Sequence, residues 1–183
     1  MKKVERGELV DYATYEDGRE AFRARVMQVK APRRVHVGDY LTMLFENHLT
    51  VLYQIQEMMR AERTVREADI LHEMQTYNEL LGDDGELGCT LLIEIEDAAV
   101  RDQKLQLWWN LPEKIAVVLD DGTIVPATFD ERQRGDGRVS SVHYLKFNTH
   151  GAVPVGIRID LPDINAVTNL TPEQRTALAQ DLA

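Results

Sequence analysis

Residues 38–81, GDYLTMLFENHLTVLYQIQEMMRAERTVREADILHEMQTYNELL, leave this chain the fewest choices. Over residues 39–63 a 3.6-residue period collects Leu41, Phe45, His48, Leu52, Ile55 and Met59 on one seam. Leu44, Asn47, Val51, Gln54, Met58 and Ala61 fall on a second. A surface helix needs one apolar stripe, so two seams predict a helix covered on both sides and central to the fold. Asn47 and Gln54 stand in the second seam where Leu or Val would be expected. Enclosed there, both amides need partners, because an unsatisfied buried polar group costs roughly 1–3 kcal/mol.

A second helix follows. Thr64-Val65-Arg66-Glu67 matches the capping box, in which hydroxyl and carboxylate satisfy reciprocal free amides. Ile70, Met74, Tyr77 and Leu81 then form one stripe, and Gly82-Asp83-Asp84-Gly85 ends it. The short connection makes the two helices antiparallel neighbours. Counting outward from the turn sets Gln54 and Glu57 level with Glu73 and Tyr77, with Arg60 one turn away. This polar crowd is the candidate site; the competing reading is a solvated face with a Glu57–Arg60 pair at i, i+3.

Elsewhere the local signals alternate between helix and strand. Thr14 is expected to cap a first helix with Tyr15, Phe22, Val26 and Val29 inward, ended by Ala31-Pro32. Residues 33–37 read as an extended link whose tandem Arg33 and Arg34 offer a guanidinium fork to a carboxylate of the hairpin. Cys89, Leu91, Ile93 and Ile95 alternate with polar residues as a half-buried strand, the thiol packed and inert. Asp97 is expected to cap a short helix through Val100, Lys104, Leu107 and Trp108. Residues 114–119 and 123–129 flank the turn Asp120-Asp121-Gly122 as a hairpin. Residues 131–138 read as a loop, and 139–147, with His143, and 153–161 as two more strands. Thr171-Pro172-Glu173-Gln174 then opens a terminal helix anchored by Leu178 and Leu182.

The fold class that follows is α+β: N-terminal helices with a central helical hairpin, packed on an antiparallel sheet of about five strands, and a C-terminal helix. The expectation is a single domain over 1–183, helical over 12–82, mainly β over 87–162, with the terminal helix at 171–182.

Composition narrows the function classes. A net charge of −10 argues against general nucleic-acid binding. No apolar run reaches the roughly 18 residues of a membrane span. The start MKKVERGELVDY lacks the apolar core of a secretory signal, and one cysteine fits a reducing cytoplasm. The charge is uneven: between Arg19 and His36 six basic residues face one acid, a net of +5 that leaves −15 elsewhere. Such a patch either binds an anion or pairs with the protein's own carboxylates.

The chain has no Gly-rich phosphate loop, paired cysteines, H-E-x-x-H or G-x-S-x-G. Among Glu46, Glu57, Glu62, His72 and Glu73 there is no Glu-x-x-His spacing. On one continuous helix Glu46 and Glu57 stand about 16 Å apart, too far to share an ion. No metal or cofactor is therefore expected. A Glu57–Glu73 pair does acid–base work only if burial separates their pKa values.

The run over residues 33–62, with Glu73, YNELL, EDAAVRDQKL, SSVHYLKF and the final Asp181-Leu182, resembles a family of bacterial proteins designated domain of unknown function 3501. The resemblance covers nearly the whole chain, FEN and QIQEM-RAE being its more specific pieces. Positions matching these pieces are Arg33, Arg34, Phe45, Glu46, Asn47, Thr50, Gln54, Gln56, Glu57, Arg60 and Glu62. It implies a cytoplasmic protein of unassigned activity, with a redox or iron–sulfur protein as partner. Asp160-Leu161-Pro162 departs from the Asp-His-Pro-like run of that family. The site set is thus Arg33, Arg34, Glu46, Asn47, Gln54, Glu57, Arg60, Glu62, Glu73 and Tyr77. The leading functional expectation is an accessory or interaction protein with a buried polar site; the alternative is a small-molecule, redox-linked enzyme using Glu57 and Glu73.

Overall fold

The computed structural model describes residues 1–135 and 137–183. Its first long element, α1 (Tyr12–Lys30), is capped by Asp11 rather than Thr14: the Asp11 carboxylate accepts from the Ala13 and Thr14 amides. The Thr14 hydroxyl is itself a donor to Asp11, at 2.6 Å. Tyr15 and Val26 lie on the buried face, as the periodicity requires.

The largest correction concerns residues 39–47, which are not helical. β1 (Arg34–Val37) and β2 (Leu41–Phe45) form an antiparallel hairpin, with Val37 opposite Leu41. Gly38 holds a φ of 62° in the turn, a conformation that favours glycine. All five residues of β2 are buried, so neither a 2.0 nor a 3.6 period marks the run, and its apolar character fits both element types.

The central helix α2 (His48–Glu62) therefore starts nine residues later than expected. Asn47 is not a seam residue but its cap: the Asn47 side chain accepts from the Thr50 amide, and the Thr50 hydroxyl from the Asn47 amide. Its far end closes on Arg63 in the left-handed conformation, with the Thr64 amide returning to the Met59 carbonyl at 2.9 Å. That closure explains why the Thr64 capping box does not form. Thr64 belongs to the end of α2, and α3 (Glu67–Asn78) starts from Arg66 without a side-chain cap.

β3 (Glu86–Ile93) follows, then α4 (Ala98–Leu107), capped by Asp97 as anticipated. Its inward residues are Leu105 and the adjoining Trp108, whereas Leu107 is exposed. The hairpin of β4 (Ile115–Val118) and β5 (Ile124–Pro126) turns through Gly122. Residues 131–138 hold more than a loop: a short 3-10 turn at Glu131–Gln133 leads into β6 (Arg134–Gly135), which pairs with β7 (Arg138–Val139). Then come β8 (Val142–Asn148), β9 (Gly156–Leu161) and β10 (Ile164–Asn169). The chain is α+β, but instead of one sheet of about five strands the described residues form two four-stranded antiparallel sheets, ordered β1-β2-β3-β8 and β10-β9-β4-β5, besides the β6–β7 ribbon.

At the end, α5 (Pro172–Leu182) carries the full capping box, the Thr171 hydroxyl accepting from the Gln174 amide and the Gln174 side chain from the Thr171 amide. Thr171→Ala should lower stability by about 1 kcal/mol, read as a lower urea midpoint at unchanged slope.

Two cores result. One lies between the sheets, where Leu41, Met43 and Phe45 meet Ile157, Ile159 and Leu178. The other joins Val51, Ile55 and Met59 of α2 to Ile70 and Leu81. Strand alternation sends Leu44 and Glu46 to the opposite face from Phe45, and there α2 lies. The C-terminal turn after α3 sits directly on β3 because residue 88 is glycine: a Cβ there would fall 1.8 Å from the Leu80 carbonyl oxygen. The Gly88 carbonyl in turn accepts from the Glu46 amide at 2.9 Å.

Candidate functional site

α2 is covered on two sides, by α1 and α3, and its polar side chains divide among neighbours that the hairpin reading did not foresee. At its start, the buried Glu46 carboxylate accepts from two hydroxyls: Thr50 at 2.5 Å and Thr90 at 2.7 Å. Asn47 donates to Asp181 of α5 at 3.2 Å. Arg33 meets the same carboxylate through a two-pronged contact, Nε to Oδ2 at 2.7 Å and Nη2 to Oδ1 at 2.8 Å. Both side chains are almost wholly buried, 6% and 5% exposed, and Arg33 also donates to the Val29 and Ala177 carbonyls. The arginine fork thus engages a carboxylate of the terminal helix, not one of the hairpin.

Two turns further along, Glu57 is held from α1. Arg19 donates to it through Nε at 2.7 Å and Nη2 at 2.9 Å, and the Tyr15 hydroxyl at 2.7 Å. Arg60 is 3.5 Å from Glu57 and 3.6 Å from Glu16. The Arg19 guanidinium holds the Glu57 carboxyl at about 2, and the Tyr15 bond acts in the same direction. Burial, with the Glu57 charge adding to it, raises the Tyr15 hydroxyl.

Glu57 and Glu73 therefore do not form the pair expected of them. Glu57 turns to α1. Glu73 lines a separate groove of about 410 Å³ at the α2–α3 turn, with Glu62, Arg66 and His72. A carboxyl held low by an arginine is also the reverse of the raised acid that such a pair requires. Burial raises the Tyr77 hydroxyl, and Gln54 acts against that rise. Tyr77 also borders a groove of about 640 Å³ between α3 and β8, with Leu80, Phe129 and Tyr144. The buried amide of α2 is Gln56 instead of Gln54; it pairs with both backbone groups of Val10, at 2.8 and 3.1 Å.

The residues missed at the sequence level are Arg19, Tyr15, Thr50, Thr90 and Asp181. One signal was available: Arg19, Arg23 and Lys30 fall on one face of α1 at helical spacing, the face that meets α2. Arg23 donates to the Tyr53 hydroxyl at 2.7 Å, and Lys30 Nζ lies 5.2 Å from the centroid of the same ring. Arg34 begins β1, and its carbonyl accepts from Gln174 at 2.9 Å. Cys89 is packed beneath, its thiol raised well above its ordinary value first by burial and then by the Glu46 charge. Among the described residues no three His, Cys, Asp or Glu side chains are grouped so as to hold a metal ion. No described helix is long and apolar enough to cross a membrane.

No curated protein matches this chain. Among solved structures it is similar to a novel protein of unknown function from Burkholderia pseudomallei K96243, with 30% identity over the whole of both chains and a TM-score of 0.91. The family model described as "Protein of unknown function (DUF3501)" matches residues 3–182. On that match, the chain belongs to the DUF3501 family of proteins of unknown function.

Proposed function

We propose that this protein is a cytoplasmic accessory or interaction protein, not an enzyme built on Glu57 and Glu73. The observation that carries this reading is that three acids at α2, Glu46, Glu57 and Asp181, are already engaged by the protein's own groups. Glu57 holds Arg19 and Tyr15, Glu46 holds two threonines, and Asp181 holds Arg33 and Asn47. A general acid or base needs a lone pair or proton directed at a substrate, and these carboxylates direct theirs inward. The family resemblance supplies the partner class, a redox or iron–sulfur protein.

The test is native mass spectrometry of the protein purified at its natural level from its own host, as wild type and as Glu57→Gln with Glu73→Gln. The expected result is a stable complex with a second, iron-containing protein, retained in the double variant. Recovery of the protein alone, bound to a small metabolite that the double variant fails to retain, would overturn the reading in favour of the enzyme.

A further inference from the structure

Acids outnumber bases 31 to 21 in this chain, so cations without acidic partners stand out. Of the six basic residues between Arg19 and His36, Arg19 and Arg33 are in ion pairs. Among the described residues, Arg23, Arg25, Lys30 and Arg34 are not. Three of these four converge. Arg23 donates to the hydroxyl of Tyr53, a residue only 5% exposed, Lys30 lies over the ring of the same tyrosine, and Arg34 lies near enough to Lys30 for its charge to act on the amine.

We infer that Arg23, Lys30 and Arg34, with Tyr53 as their floor, form a binding site for a small doubly charged oxyanion of the phosphate type. Like charges gathered in one place repel, Lys30 and Arg34 half-buried and Arg23 exposed, and none of the three is in an ion pair among the described residues. The Glu46 charge acts on Lys30, but Glu46 is buried, and both its oxygens are taken by Thr50 and Thr90. Lys30 bears the consequence: burial lowers its pKa, the Glu46 charge opposes that, and Arg34 and Arg23 add to the lowering. Two guanidinium groups and an ammonium offer the directional N–H donors that a tetrahedral dianion accepts, and each such bond is charge-assisted. The inference does not depend on the accessory reading above, because an isolated anion site serves a binding protein and an enzyme alike.

Isothermal titration of the full chain with inorganic phosphate, at ionic strength matched with chloride, tests it. Direct binding is the readout because phosphate stabilises most proteins by exclusion from their surface. Saturable binding at one site is expected. Arg23→Gln with Arg34→Gln should weaken it about tenfold or more, while Arg25→Gln, whose arginine lines a separate groove with Asn47 and His48, should leave it unchanged. Arg34→Gln alone, which leaves the Arg23–Tyr53 bond in place, should give part of the loss, and circular dichroism checks that each variant is folded. No saturable binding by the wild type, or equal loss in Arg25→Gln, would overturn the proposal.

Discussion

Asp181→Ala should destabilise the protein by about 3–5 kcal/mol, enough to remove much of the stability of an ordinary domain. Without Asp181, the Arg33 guanidinium stays buried at 5% exposure with only the Val29 and Ala177 carbonyls for company. Asn47, the cap of α2, also loses the acceptor of its amide. The loss reflects an orphaned charge more than the worth of the pair. Arg33→Met combined with Asp181→Leu should accordingly recover most of it. Urea denaturation of the three variants measures both effects. A single variant within about 1 kcal/mol of wild type would show that water reaches Arg33 when Asp181 is gone.

The second large effect is pH-dependent. Glu57 ionises at about 2 in the folded chain against an ordinary value of 4.5. Because the folded value is the lower, ionised Glu57 favours folding. The stabilisation is complete above about pH 4.5 and is lost as the pH falls toward 2. The full shift corresponds to about 3 kcal/mol, but Arg19 is 29% exposed, and solvent screening brings the expected contribution to about 1–2 kcal/mol. Glu57→Gln should therefore be less stable than wild type by that amount at pH 7. The gap should close as both are titrated toward pH 2. A gap independent of pH would mean that glutamine perturbs the packing of α1 on α2 and that the Arg19 ion pair contributes little.

Several parts of this molecule were legible because their causes are local. Thr171-Pro172-Glu173-Gln174 caps a helix, Asp97 another, and Asp120-Asp121-Gly122 turns a hairpin, each within a few residues of chain. Leu41-Thr42-Met43-Leu44-Phe45 was not legible, since a strand buried on both faces has no alternation and its five apolar-leaning residues extend the helical pattern that follows. Gly38 before the run and Asn47 after it were the punctuation that separates strand from helix. β10 was missed because Ile164, Ala166 and Thr168 alternate only partly buried, with no large apolar residue among them except Ile164.

The candidate residues were less legible. The two seams pointed to Asn47 and Gln54 as the enclosed amides, whereas Asn47 caps α2 and the buried amide is Gln56, which lies on neither seam. The partners of Arg33 and Glu57 could not be read: Asp181 is 148 residues from the first and Arg19 is 38 from the second. The amino-acid sequence by itself determined the helix and turn signals, the α+β class and the polar enrichment of α2. Only the tertiary structure decided which neighbour each polar group meets. Each residue turns a helix by about 100°, so a small rotation of α2 directs Glu57 to α1 or to α3, and packing on both sides selects between them.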